Sequence, residues 1–323
     1  MESLFRHHNK KEGDIEIMSG EDGEAAYVCA SCSIAQVDEI KSNTCTTCKS
    51  VRYCSVECQK KHRPQHKRAC KKRVAKLRDE LLFKQPMISS WLGDCLICYL
   101  PLPLDGQKSS LMGCCSKMIC LGCDYANQIR QLGLLIPQEP SCAFCREPVQ
   151  KTEEEFEAML MKRVEKKDPF AMTQMGARRH DEGDYSSAFE YYTKAAELGD
   201  ASAHYNLSVM YNLGQSVEKD EKKEVYHLEE AAIGGDDDAR HSLGCHEANN
   251  GRMERAVKHL IIAANMGHEG SMKALWEGHA RGFVKKEALT ATLRTHHAAV
   301  DATKSPQREE AEEFHKKRQR SQE

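Results

Sequence analysis

At 323 residues the chain is long enough for two or three domains of ordinary size, so one core is not expected to serve it all. The N-terminal stretch MESLFRHHNKKEGDIEIMSG has no apolar run of signal-peptide length and no later patch approaches a membrane span, so no membrane partner is expected and the protein reads as cytoplasmic, nuclear or both. In such a reducing compartment, 16 cysteines set largely in Cys-x2-Cys pairs read as zinc ligands and not as a disulfide framework, and the net charge of -2 is close to neutral but unevenly spread.

Residues 1–24 are polar, glycine-dotted and aperiodic, the composition of a disordered lead. Ligand-type residues then follow as Cys29-x2-Cys32, Cys45-x2-Cys48, Cys54-x3-Cys58 and His66-x3-Cys70. Eight such ligands suit two tetrahedral zinc ions, each Cys-x2-Cys pair forming a tight loop that points two thiolates at one metal. Cys54, Cys58, His62, His66 and Cys70 recur at steps of four. On a helix each step advances about 40° around the axis, so the five cannot converge on one ion and two sites must share them. His62 reads as a surface or packing histidine.

The stretch CASC…CTTCKSVRYCSVECQKKHRPQHKRAC resembles a MYND zinc finger over residues 29–70. The resemblance implies interleaved ions, one held by Cys29, Cys32, Cys54 and Cys58 and the other by Cys45, Cys48, His66 and Cys70. It also implies binding of short proline-containing peptides of partner proteins, with Arg63 standing where the family usually has tryptophan.

Nine of the 47 Lys and Arg residues fall between Gln59 and Lys76, with no acid among them. A solvated helix face is the preferred reading, with a nucleic-acid patch or a nuclear-import signal as the alternatives. Residues 71–94 read as a linker helix, from the helical spacing of Val74, Leu77, Leu81 and Leu82, with Pro86 ending it.

A second module, 95–148, contains Cys95-x2-Cys98, Cys120-x2-Cys123 and Cys142-x2-Cys145, with Cys114 and Cys115 between the first two pairs. The order resembles a RING finger, which implies that the first and third ligand pairs share one ion and the second and fourth the other. In that register Cys115 takes the third position and the fourth, usually histidine, falls on Lys117. A lysine must lose its proton to ligate, at a cost of roughly 4 to 5 kcal/mol at pH 7, against about 2 kcal/mol for a cysteine, and a thiolate is the better zinc ligand. Cys114 is therefore the expected substitute, with a vicinal disulfide or a three-cysteine site as alternatives. Four zinc ions are expected in all, two per module. By the same resemblance, Ile97 would contact a ubiquitin-conjugating enzyme and Arg146 would hold the donor ubiquitin. Ala143 replaces the usual proline.

A connecting helix over 152–167 is signalled by Thr152 followed by Glu155. Beyond it, AAELGDASAHYNLSVMY, AAIGGDDDARHSLGCHE and AANMGHEGSMKALWEGH align, placing alanine pairs from Ala195, Ala231 and Ala263 and glycines at Gly199, Gly235 and Gly267, 36 and 32 residues apart. That period means helix-pair repeats, with each glycine in the left-handed turn past a helix end. Residues 168–290 resemble Sel-like repeats, relatives of the tetratricopeptide repeat, with protein partners expected on the solenoid. Tyr191, Tyr192, Tyr205, Tyr211 and Tyr226 read as packing residues and Cys245 as a small buried hydrophobe. The charged tail, 300–323, reads as a frayed helix or as disordered.

The fold expected is mainly α: two small zinc-stabilised finger modules followed by an α-helical repeat solenoid. The function expected is a zinc-binding protein-interaction adaptor, with RING-type ubiquitin ligase activity as its finer form and a non-catalytic scaffold with purely structural zinc as the alternative.

Overall fold

In the computed structural model of the chain, residues 27–36, 43–84, 92–133, 140–149 and 152–320 are described. The segment expected as a disordered lead lies outside them, as do Pro86 and the last three residues of the tail. The chain divides into two units, Met1–Glu80 and Leu81–Glu323.

The first unit is built on two antiparallel ribbons and one helix. Strand β1 (Tyr27–Val28) pairs with β2 (Ala35–Gln36), and β3 (Asn43–Thr44) with β4 (Arg52–Tyr53). Helix α1 runs from Val56 to Leu82. So small a module has little apolar surface to bury, and its core is made of its ligands: Cys29, Cys45 and Cys48 surround the buried Tyr53, with Val51 and Val74 against them.

The linker expected over 71–94 is the second half of this same helix, which ends at Leu82. The end is anchored within the second unit. Leu82 packs among Leu228, Ala231, Ala232, Ala239 and Leu243, and Phe83 lies against the ring of His259. Arg240, itself buried, donates from Nη1 to the Leu82 carbonyl, one of the orphan acceptors that every helix end leaves.

The second unit opens with the second cysteine module. Strand β5 (Ser109–Met112) pairs antiparallel with β6 (Lys117–Cys120), and α2 (Leu121–Leu132) follows directly. Its core is Cys95, Leu102, Ile119, Cys120 and Cys123. Helix α3 (Glu153–Glu165) then starts where expected, the Thr152 hydroxyl accepting from the Glu155 N–H at 3.2 Å.

Eight helices form the repeat region: α4 (Pro169–Asp181), α5 (Tyr185–Glu197), α6 (Ala201–Leu213), α7 (Glu221–Ile233), α8 (Asp237–Asn249), α9 (Met253–Asn265), α10 (Glu269–Ala280) and α11 (Lys286–Ala302). The alanine pairs are buried where α5, α7 and α9 meet their neighbours. Gly199, Gly235 and Gly267 have φ of 89°, 101° and 103°, which an L side chain rarely adopts, and each immediately precedes an N-cap residue: Asp200, Asp236 or His268.

Four details depart from the sequence reading. The repeat region extends to Ala302, because α11 is held by Leu289, Thr292 and His296, the last bonded to the Ala264 carbonyl at 2.9 Å. Cys245 is exposed, since α8 turns Leu243 and Gly244 inward instead. Tyr226 is exposed as well, while Tyr192 and Tyr211 are buried. The charged tail is an ordered helix, α12 (Pro306–Arg320), packed on α2 through Arg308, Ala311 and Phe314. Spacings of three put those residues on one face and leave the charges on the other.

Candidate metal centres

Four turns of near-identical geometry present most of the thiolates. In each, the N–H of the fifth residue donates to the carbonyl of the first cysteine: Ser33 to Cys29, Lys49 to Cys45, Tyr99 to Cys95 and Arg146 to Cys142. Those fifth residues all have positive φ, 59°, 51°, 57° and 65°. A left-handed residue reverses the chain sharply enough for two cysteines three apart to face one point.

The remaining ligands come from helix starts and one hairpin turn. Cys54 and Cys58 lie at the start of α1, and Cys120 caps α2, with Cys123 in its first turn. His66 and Cys70 lie further along α1, and Cys114 and Cys115 fill the turn between β5 and β6. The structure gathers these side chains into four sets whose donor atoms lie within 4.8 Å of one another: Cys29, Cys32, Cys54 and Cys58; Cys45, Cys48, His66 and Cys70; Cys95, Cys98, Cys120 and Cys123; and Cys114, Cys115, Cys142 and Cys145.

The distances fit one tetrahedral ion per set. Sulfurs at about 2.3 Å from zinc are about 3.8 Å apart along a tetrahedron's edge. The observed separations include 3.6 Å for Cys32–Cys54, 3.8 Å for Cys45–Cys70, 3.8 Å for Cys98–Cys120 and 3.8 Å for Cys115–Cys142, with Cys48 Sγ 3.2 Å from His66 Nε2. All are far longer than a disulfide, and every cysteine is a free thiol. Soft sulfur, with one imidazole, in closed sets of four is the chemistry of structural zinc, one ion for each of these four sets.

Electrostatics argue the same way. In each set one thiol ionises readily and another is pushed up. Burial raises the Cys29 thiol, but N–H groups of Cys32, Cys54 and Ser31 outweigh it and leave it at about 6, whereas hydrogen bonds to Cys58, Cys29 and Cys32 push Cys54 to about 12. Backbone N–H groups hold Cys45 at about 6, while burial and its neighbours Cys48 and Cys45 push Cys70 to about 11. Burial opposes ionisation of Cys95, yet N–H groups of Cys98, Cys120 and Ile97 bring it to about 7; burial drives Cys123 far up. Cys142 is lowered and Cys114 raised in the fourth set. Three or four thiolates gathered in such a space need a compensating divalent cation.

His62 takes no part in a set: its Nδ1 lies 3.2 Å from the Tyr53 hydroxyl and its ring stacks on His66. Lys117 points elsewhere too, its Nζ 4.6 Å above the Phe144 ring. Ile97 is 41% exposed between Leu96 at 46% and Tyr99 at 77%, and Arg146 is also exposed. The basic run lies on α1, where Arg73 and Lys76 pair with Glu80 at 3.9 Å; the other seven cations make no ion pair among the described residues. Sequence reasoning missed Arg308, whose guanidinium reaches Cys98 from the C-terminal helix.

Comparison with known proteins locates two modules. Residues 27–70 match the MYND finger family, and 169–200, 201–236 and 248–268 match the Sel1 repeat. The chain is 39% identical over 56 residues to HcpC of Helicobacter pylori strain J99, and 40% identical over 52 residues to HcpC of strain 26695, a protein whose name assigns it provisionally to the beta-lactamases. These matches cover 17% and 16% of this chain and 19% and 18% of HcpC, so the chain spans about a fifth of the length of these relatives. A Sel1 repeat protein from Oxalobacter formigenes is similar at 28% identity and a TM-score of 0.42, over 47% of this chain and 66% of that one. The uropathogenic Escherichia coli antigen c5321, which displays an SLR fold, is similar at 22% identity and 0.40, over 46% and 34%. The chain is thus a mainly α protein that carries a MYND zinc finger, a second zinc-binding cysteine module and a Sel1 repeat array.

Proposed function

We propose that this zinc-binding interaction adaptor seats a ubiquitin-conjugating enzyme on its second finger while the repeats and the MYND finger hold a protein substrate. The observation that carries the reading is the crossed order of ligand pairs in that finger, first with third and second with fourth, beneath a knuckle that holds Leu96, Ile97 and Tyr99 out in water. Three neighbouring apolar side chains on a rigid metal turn make a surface suited to a partner. Zinc here supplies folding energy. The closed ligand sets leave no position for a metal-bound water, so the rate gain would come from orienting a conjugating enzyme's thioester beside its acceptor. Ile97 would meet the enzyme and Arg146 the donor ubiquitin.

Discharge of ubiquitin from a panel of charged conjugating enzymes tests this, using full-length protein verified to hold its zinc. Acceleration that disappears in Ile97→Ala and Arg146→Ala establishes the ligase. No acceleration across the panel replaces it with the non-catalytic scaffold, a reading favoured by one observation: Arg146 occupies the left-handed knuckle position that Ser33, Lys49 and Tyr99 also occupy. Nucleic-acid binding rests on the basic run of α1, nine Lys and Arg residues between Gln59 and Lys76. Salt-dependent retention of DNA or RNA, lost on neutralising Lys71, Lys72 and Arg73, would establish it, and no retention leaves a solvated face.

A further inference from the structure

Helix α12 brings a guanidinium onto a metal-ligand sulfur from 210 residues away. Arg308 is only 4% exposed, and its Nη2 donates to Cys98 Sγ at 3.4 Å and to the Leu100 carbonyl at 3.2 Å. Its Nη1 donates to the carbonyls of Pro101 at 2.7 Å and Thr303 at 2.6 Å. One planar fork thus joins a ligand, the chain leaving that ligand's knuckle, and the turn between α11 and α12. A lysine could supply the charge but not the fork.

The backbone is fitted to the same place. Gly122 sits between the ligands Cys120 and Cys123, and a Cβ there would lie 3.0 Å from the Cα and N of Arg308 and the carbonyl oxygen of Gln307. A Cβ there would fit only if α12 gave way by a few tenths of an ångström. The rings of Tyr125 and Phe314 meet at a tilt of 41° with centroids 4.9 Å apart, and Lys108 pairs with Glu312 at 3.1 Å, fixing α12 on either side.

The charge balance of the site explains the fork. Four thiolates around a divalent zinc leave an excess of two negative charges, and Cys95, Cys120 and Cys123 are buried, where water screens that excess poorly. A guanidinium in contact offsets part of it, and an N–H donated to a ligating atom also fixes that atom's direction. We propose that Arg308 is a positioning residue for the zinc of Cys95, Cys98, Cys120 and Cys123, and that α12 is the strap retaining this one ion among four. The second finger is then completed by α12.

The experiment uses full-length, zinc-loaded protein and follows release of the four ions to a chromogenic chelator well below the unfolding temperature. In Arg308→Met one ion leaves about 10- to 100-fold faster than in wild type while three keep their rates, and Arg308→Lys falls between. Cobalt substitution gives an independent readout, with the thiolate-to-metal charge-transfer band altered for one site in four. A purely structural role would lower the unfolding temperature without singling out one ion. Gly122→Ala keeps Arg308 but lifts the helix, so it speeds the same ion and decides the matter if Arg308→Met fails to fold. Release indistinguishable from wild type in the variants that fold, or equally faster for all four ions, overturns the proposal.

Discussion

Cys114 Sγ lies 3.2 Å from Cys145 Sγ across 31 residues of chain, while Lys117, three residues on, turns its Nζ over the Phe144 ring. A hairpin turn with adjacent cysteines thus supplies two donors to one set. Cys114→Ser is expected to lower the zinc content from four ions to three, and Lys117→Ala to leave it at four. Native mass spectrometry reads both directly. Four ions in the Cys114 variant would mean that three donors suffice at that site.

The candidate ligand sets were legible because spacing constrains them: Cys-x2-Cys pairs have few uses other than metal, whereas the left-handed Ser33, Lys49, Tyr99 and Arg146 behind them carry no glycine to signal the turn. The repeat register was legible from the alanine pairs, which mark close helix contacts, and from glycines at φ of 89° to 103° that other residues rarely adopt. The ordering of α12 was harder to see. A run dense in charge hides an apolar face of only Ala311 and Phe314, although Ser305 before Pro306 is a helix start, and the Ser305 hydroxyl does accept from the Arg308 N–H. What no spacing could reveal is that Arg308 meets Cys98, since that contact depends on how the last helix returns to a finger 210 residues earlier.

Arg146 has two separable features, an exposed side chain and a φ of 65°. A left-handed residue other than glycine costs about 1 kcal/mol, so Arg146→Gly should keep all four zinc ions and match or slightly exceed wild-type stability, while Arg146→Ala keeps the strain. Both remove the guanidinium. Loss of ubiquitin discharge in both, with zinc retained, would assign the effect to the side chain. Loss in only one would assign it to knuckle geometry.

Leu82 is 1% exposed at the end of α1 and lies against Leu228, Ala231 and Ala239. Leu82→Ala should destabilise the second unit by about 2–5 kcal/mol, as large-to-small changes in packed cores do. The zinc content should stay at four ions, because no ligand touches this cluster. Denaturant unfolding alongside metal analysis separates the two effects. A cost below about 1 kcal/mol would mean that the end of α1 only rests on the repeats.

Asp236 caps α8 from a buried position, its carboxylate accepting from the Ala239 N–H at 2.7 Å. Burial pushes its pKa up to about 7; the Ala239 N–H opposes the rise, and the charges of Asp237, Asp238 and Asp200 add to it. The unfolded chain releases this proton near pH 4. Between about pH 4 and 7 the unfolded state therefore holds fewer protons than the folded one, so this residue's contribution to stability falls as pH rises and is flat above. Asparagine caps as well as aspartate and carries no charge. Asp236→Asn should therefore raise stability at pH 8 by on the order of 1–3 kcal/mol and leave it nearly unchanged at pH 4. Thermal unfolding of both proteins across that range measures the difference, and an equal shift at every pH would show that the buried charge is not its cause.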